Sequence, residues 1–151
     1  MSEVPAGRCG FTWDEDYSSV RSANHQNCCW REVVEGSNHC IWHADSDDVS
    51  KSVEALQQAC APPDIREQNS DVAELLDGAK LSGLQLEDAV AFGRVALRES
   101  NLSETNLEEA DLTEANLRKA DISDATLVGV DLTEANLWET DLTNTNLRDT
   151  T

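Results

Sequence analysis

Three fragments near the start of the chain carry side chains that bind soft metal ions: Arg8-Cys9-Gly10-Phe11, Cys28-Cys29-Trp30-Arg31 and Cys40-Ile41-Trp42-His43. The Cys40-x-x-His43 spacing lets one turn present a thiolate and an imidazole to the same ion, and Cys9 with one of Cys28 and Cys29 completes a four-coordinate set. Cys29 is preferred because Cys29-Trp30-Arg31 parallels Cys40-Ile41-Trp42 in placing an aromatic just beyond the thiol. The expected ligands are therefore Cys9, Cys29, Cys40 and His43, holding a zinc ion. Four protein ligands leave no position for water, so the chemistry expected is structural and a catalytic zinc is the weaker reading. Two other readings compete. The gap of 18 or 19 residues between the first two ligands is not a standard zinc-finger spacing. Free thiols packed among Trp13, Trp30 and Trp42, or a disulfide or redox pair, fit the same residues. His25 and His39 read as exposed loop residues, and Cys60 as a core residue on a helix face.

Few elements exist to position these groups. Residues 8 to 43 hold four of the five Cys, all three His and five aromatics, whereas from Asp45 onward only Phe92 and Trp138 are aromatic. A segment this short buries little core of its own, so a metal cross-link supplies what packing cannot. A helix is expected over 46 to 60, capped by Ser46, with Val49, Val53, Leu56 and Cys60 on one face and Pro62-Pro63 ending it. Ser70 to Gly78 reads as a short helical turn. The organisation is then a Cys/His head over 1–44, a helical link and cap over 45–74, and a third zone over 75–151.

That third zone carries the strongest pattern. Leucine or isoleucine stands at 102 and at every fifth residue to 147, ten units in succession. A period of five fits neither strand nor helix. Two residues before each stands a small residue (Ser100, Thr105, Ala110, Ala115 and so on), and one before stands Asn or Asp in nine of the ten, Thr126 being the exception. A coil with small interior corners explains this, because stacked coils bury side chains that a single coil leaves exposed. The stretch Asp111-Leu112-Thr113-Glu114-Ala115-Asn116-Leu117 recurs identically as Asp131 to Leu137. The 20-residue offset means four faces per coil, with Leu112 beneath Leu132 and Leu117 beneath Leu137.

The units Ala110-Asp111-Leu112, Ala115-Asn116-Leu117 and Ala135-Asn136-Leu137 resemble the A-(D/N)-L-x-x unit of the pentapeptide-repeat family. The resemblance implies a mainly β fold, a right-handed quadrilateral β-helix of about four coils, here preceded by a small Cys/His metal-stabilised head and a short helix. It extends back through Leu97 and Phe92 and, after a one-residue slip, through Leu86, Leu81 and Leu76. The head is similar to Cys/His-containing heads on pentapeptide-repeat proteins of haloarchaea. The resemblance also implies end-to-end dimers, hence a homodimer through the C-terminal coil, and an alternative activity as an acidic DNA mimic that inhibits a type II topoisomerase such as gyrase. Four coils at ~4.8 Å reach about 19 Å, short of one ~34 Å turn of DNA unless two copies join.

Charge and columns narrow the function. The chain of 151 residues has 30 acids, 11 bases and a net charge of −19, split almost evenly as −9 over 1–74 and −10 over 75–151. Such a surface repels nucleic acid and anionic membranes, and its evenness fits adaptation to concentrated salt, where the Debye length is about 3 Å or less. No apolar run approaches the ~20 residues of a membrane span, the start shows no signal peptide, and an odd cysteine count fits a reducing cytoplasm. In the 20-residue register, Lys119 lies between Glu99 and Glu139, and Arg118 beneath Trp138, within cation–π reach. No column joins a carboxylate, a histidine and a nucleophile, so the expectation is a non-enzymatic scaffold or interaction module with an unidentified protein partner.

Overall fold

The computed structural model describes residues 9, 33–45, 51–52, 76–87 and 92–151. Parallel backbone bridges stack the chain on itself: Ala96 pairs with Asn116, Asn101 with Asp121, Asp111 with Asp131 and Asn116 with Asn136. Twenty residues separate the members of each pair, so four five-residue faces close one coil. Lys80 pairs instead with Asn101 and Gln85 with Asn106, an offset of 21. The one-residue slip expected between Leu86 and Phe92 is therefore real, and it confines the irregularity to the first coil. The first coil takes in the described residues 76–87 and 92–96, the next two run over 97–116 and 117–136, and three faces of a fourth cover 137–151.

Each face is a short extended segment followed by a turn. The amide of the small residue donates to the carbonyl of the Leu three positions before it, as from Ala115 to Leu112 at 3.0 Å and from Ala120 to Leu117 at 2.9 Å. The Leu amide donates to the next coil, Leu112 to the Asp131 carbonyl and Leu117 to the Asn136 carbonyl, both at 2.9 Å. Closing so tight a turn requires positive φ at the second residue after Leu. Gly78, Gly83 and Gly129 satisfy this without strain, but Glu104, Glu109, Glu114, Lys119 and Glu134 stand there too, with φ of 54° to 60°. For such residues the left-handed region costs about 1–2 kcal/mol each. The ladder above and below holds them there.

The Asn or Asp before each Leu stabilises the same turn. Its side-chain oxygen accepts the amide two residues on, as in Thr113 to Asp111 at 3.0 Å, Arg118 to Asn116 at 3.2 Å and Thr143 to Asp141 at 2.9 Å. These are Asx turns, and the recurring polar array is structural. At Asp131 and Asp141 the Thr133 and Thr143 hydroxyls and amides hold the carboxyl groups below their ordinary range.

Inside the coils, Leu81, Leu86, Leu97, Leu117, Ile122 and Leu127 are fully buried, with Ala79 and Ala115 at the corners. Where a hydroxyl replaces the corner alanine it is satisfied: Thr105 donates to the Leu81 carbonyl at 2.9 Å and Thr145 to the Ile122 carbonyl at 2.8 Å. Burial fades toward 151. Leu132, Leu137 and Leu142 are partly buried, and Leu147 is 40% exposed.

Two expectations change. Among the described residues there is no helix; the helix expected over 46–60 lies outside them except for Lys51 and Ser52, which are not helical. The helical turn expected over Ser70–Gly78 is likewise untested before Leu76, but from Leu76 the chain is already coil. The Leu76 and Gly78 amides donate to the Ala96 and Arg98 carbonyls, each at 2.8 Å, so backbone pairing across coils takes the groups a helical turn needs.

Candidate metal centre

A tight turn over Cys40–Ala44 builds the first half of the site. The His43 and Ala44 amides both donate to the Cys40 carbonyl, at 3.0 and 2.9 Å, and the turn brings Cys40 Sγ to 3.2 Å from His43 Nδ1. Cys9 comes from 34 residues away and places its Sγ 3.4 Å from the same nitrogen. The three ligand atoms lie within 4.8 Å of one another, and all three residues are buried. A tetrahedral ion ~2.3 Å from sulfur and ~2.0 Å from nitrogen would set sulfur and nitrogen about 3.5 Å apart, close to the spacing observed.

The tautomer of His43 follows from its other side. Nε2 lies 3.0 Å from the Asp77 carbonyl oxygen, which can only accept, so the neutral imidazole carries its proton on Nε2. Nδ1 then directs its lone pair at the two thiols. A carbonyl behind a ligating imidazole is the arrangement that orients histidine in metal sites. Asp77 is itself fixed: its carboxylate accepts the Arg98 amide at 2.8 Å and Arg98 Nε at 2.9 Å, with the guanidinium Nη2 also in contact. Both side chains are buried.

Three of the expected ligands are thus assembled. Cys29, the expected fourth, and its alternative Cys28 lie outside the described residues, as do His25, Cys60, Trp13 and Trp30. Cys9 and Cys40 are not joined in a disulfide. His39, expected exposed, is half-buried and stands apart from the cluster, its amide donating to Ser37 Oγ at 3.1 Å. Asp77, Arg98 and Lys51 were not foreseen. Asp77 and Arg98 occupy turn positions that elsewhere in the repeat are half-buried or exposed, so nothing local marks them.

Around the centre, Trp42 is fully buried with its ring edge-on to Phe92, centroids 6.5 Å apart. Lys51 donates to the Ala44 and Lys80 carbonyls, and burial pushes its ammonium down to about 8, against the pull of Asp45 and Cys40. Lys80 pairs with Asp45 at 2.6 Å.

The outer columns follow the expected register. Arg118 sits 4.4 Å from the centre of the Trp138 ring, which is 55% exposed, and Lys119 reaches Glu99 at 3.6 Å. Arg94 adds a cation 3.4 Å from Glu114, relieving the stack of Glu114 on Glu134.

A family model described as pentapeptide repeats matches in eight copies, over residues 92–127 and 114–149. Among solved structures, a pentapeptide repeat protein of the Arabidopsis thaliana thylakoid lumen is 34% identical over 55% of this chain and 57% of its own, with a TM-score of 0.50. HetL, a pentapeptide repeat protein involved in heterocyst differentiation regulation in the cyanobacterium Nostoc, is 27% identical over 50% of this chain and 48% of its own, with a TM-score of 0.28. The chain therefore spans about half the length of these two structures. No curated protein matches.

Proposed function

Since the chain is a pentapeptide-repeat protein, of a family that folds as right-handed quadrilateral β-helices and is generally non-enzymatic, we propose that it acts as a scaffold whose solenoid faces engage a protein partner. A structural zinc ion held by Cys9, Cys40, His43 and one of Cys29 and Cys28 closes its N-terminal end. The observation that carries the metal part is the convergence of two buried thiols on the unprotonated Nδ1 of an imidazole whose other nitrogen is already engaged. A ring held this way is set up to ligate. Thiolate ligation would keep these cysteines out of disulfides, which suits a reducing, cytoplasmic setting.

The charge of −19 supports a salt-rich medium and argues against direct contact with nucleic acid or an anionic membrane. Acid columns interrupted by Arg94, Lys119 and Arg118 imitate a phosphate backbone poorly, so gyrase supercoiling should proceed unchanged in its presence. A homodimer would cover Leu147 and the half-buried Leu132, Leu137 and Leu142 by stacking two last coils.

Native mass spectrometry of the full chain tests the centre. One zinc per chain is expected, lost with chelator and absent from Cys40→Ser; a protein that folds with no bound metal overturns it. Light scattering in concentrated salt tests the dimer, which Leu147→Glu should dissociate, and a monomeric mass for the unmodified chain rejects it.

A further inference from the structure

In a solenoid, each coil offers its backbone groups to the coil before it. The register states which groups of the first coil would be left open, and what takes them. In later coils the amide of the residue before Leu donates backward, Asn101 to the Ala79 carbonyl and Asn116 to the Val95 carbonyl, each at 2.8 Å. The equivalent amide of the first coil is that of Lys80, and it donates at 2.8 Å to the carbonyl of Trp42 in the head. Likewise the Arg98, Arg118 and Trp138 carbonyls accept the Gly78, Glu99 and Lys119 amides of the preceding coil. The residue of that column in the first coil is Asp77, and its carbonyl accepts His43 Nε2. The Asn101 carbonyl accepts the Leu81 amide, and its first-coil counterpart, the Lys80 carbonyl, takes Lys51 Nζ.

The head, with Lys51 of the link, thus takes three of the places of a missing coil, and one of these replacement donors is the imidazole whose other nitrogen faces Cys9 and Cys40. We infer that metal binding at Cys9, Cys40 and His43 is the lock on this edge: metal occupancy and closure of the first coil are one coupled equilibrium, with Asp77 and Arg98 as positioning residues. The inference rests on the metal reading of the preceding section and adds to it a consequence for the solenoid. An ion on Nδ1 draws electron density from the ring and strengthens the Nε2–H donor toward Asp77. It also ties Cys9 and Cys40 to the residue that makes the bond. Coupling is reciprocal, so whatever holds the Asp77 carbonyl in place must raise metal affinity by the same factor. Arg98 does this through three contacts to the Asp77 carboxylate.

The test uses the full chain, Zn(II) for exchange measurements and Co(II) as the spectroscopic probe. With Zn(II) the Lys80 amide should be protected from hydrogen exchange, and chelation should cut that protection at least about tenfold, whereas the Asn136 amide, bonded to Ala115 in the outer coils, should not change. Arg98→Ala should weaken Co(II) binding about 10–100-fold, as loss of outer-shell support does, with Arg98→Lys recovering part of it. Should Arg98→Ala not fold, Asp77→Asn with Arg98→Gln removes both buried charges and must show the same loss. A chain that binds no Co(II) through thiolates overturns the metal reading and this inference together. Tight Co(II) binding with a Lys80 amide indifferent to chelator, or with affinity unmoved by the Arg98 variants, overturns the coupling alone and leaves the metal centre standing.

Discussion

The two ends of the solenoid are built from the same five-residue unit and differ in nearly everything else. At the first coil Leu76, Leu81 and Leu86 are fully buried, and groups of the head take up the backbone positions of Asp77 and Lys80. At the last coil the same leucine positions, Leu137, Leu142 and Leu147, grade from half-buried to 40% exposed. The unit supplies an inward side chain and an outward ladder, but burial comes from the neighbouring coil. A repeat position therefore has no fixed energetic value; its value depends on what lies on each side.

The sharpest way to break that comparison is to place a charge at an inward leucine-type position in a middle and in the last coil. Ile122→Lys, flanked on both sides, should destabilise by about 5 kcal/mol and unfold the chain, because an unpaired ammonium has no route to water there. Leu147→Lys should stay within about 0.5 kcal/mol in chemical denaturation of the monomer. Equal losses would mean that the last face is covered after all.

Trp42→Ala comes next. Removing a fully buried indole packed on Phe92 should cost about 3–5 kcal/mol. The loss should appear as faster hydrogen exchange over 76–87 with 117–136 unchanged; uniform loss along the chain would show that the coils melt as one block.

Lys51 gives a pH signature confined to the covered end. Its ammonium titrates at about 8 in the fold and at 10.5 in a free chain, so between those values the unfolded state holds more protons. Stability should rise as pH goes from about 8 toward 10.5, and the burial penalty is fully present below 8. Asp45, Cys40 and Lys80 face the same group, so the check is the difference from Lys51→Met, whose stability should lack that rise.

The smallest effect belongs to the outer surface. Trp138→Ala should cost about 0.5–1 kcal/mol through its contact with Arg118, measured by thermal unfolding. A larger loss, or one confined to the dimer, would reassign Trp138 from covering an arginine stem to gripping a partner.

The solenoid was legible because its information is local and repeated. One identical heptapeptide at an offset of 20 residues defines four faces, the Leu112–Leu132 stacking and the contact of Arg118 with Trp138. Even so, the left-handed turn residue escaped the reading, although Gly78, Gly83, Gly129 and Asn144 at that position were a visible signal. The centre was legible in part. Cys40-x-x-His43 announces itself by spacing and Cys9 was expected beside it, but the sequence does not say that Nδ1 is the ring nitrogen both thiols face. Asp77 and Arg98 were invisible for a different reason: they stand at turn positions that are half-buried or exposed in the other coils, and their burial as a pair occurs once.

By itself, then, the sequence determined the period, the number of faces, the place of the slip and the residue types available for a soft metal ion. Periodicity is a property of the chain, and a coil that stacks on copies of itself needs nothing more. Only the tertiary structure decided which groups close the first coil, which tautomer His43 holds and where a buried ion pair stands. Those depend on contacts between segments 21 to 38 residues apart that occur once, and a contact that occurs once leaves no period in the sequence to read.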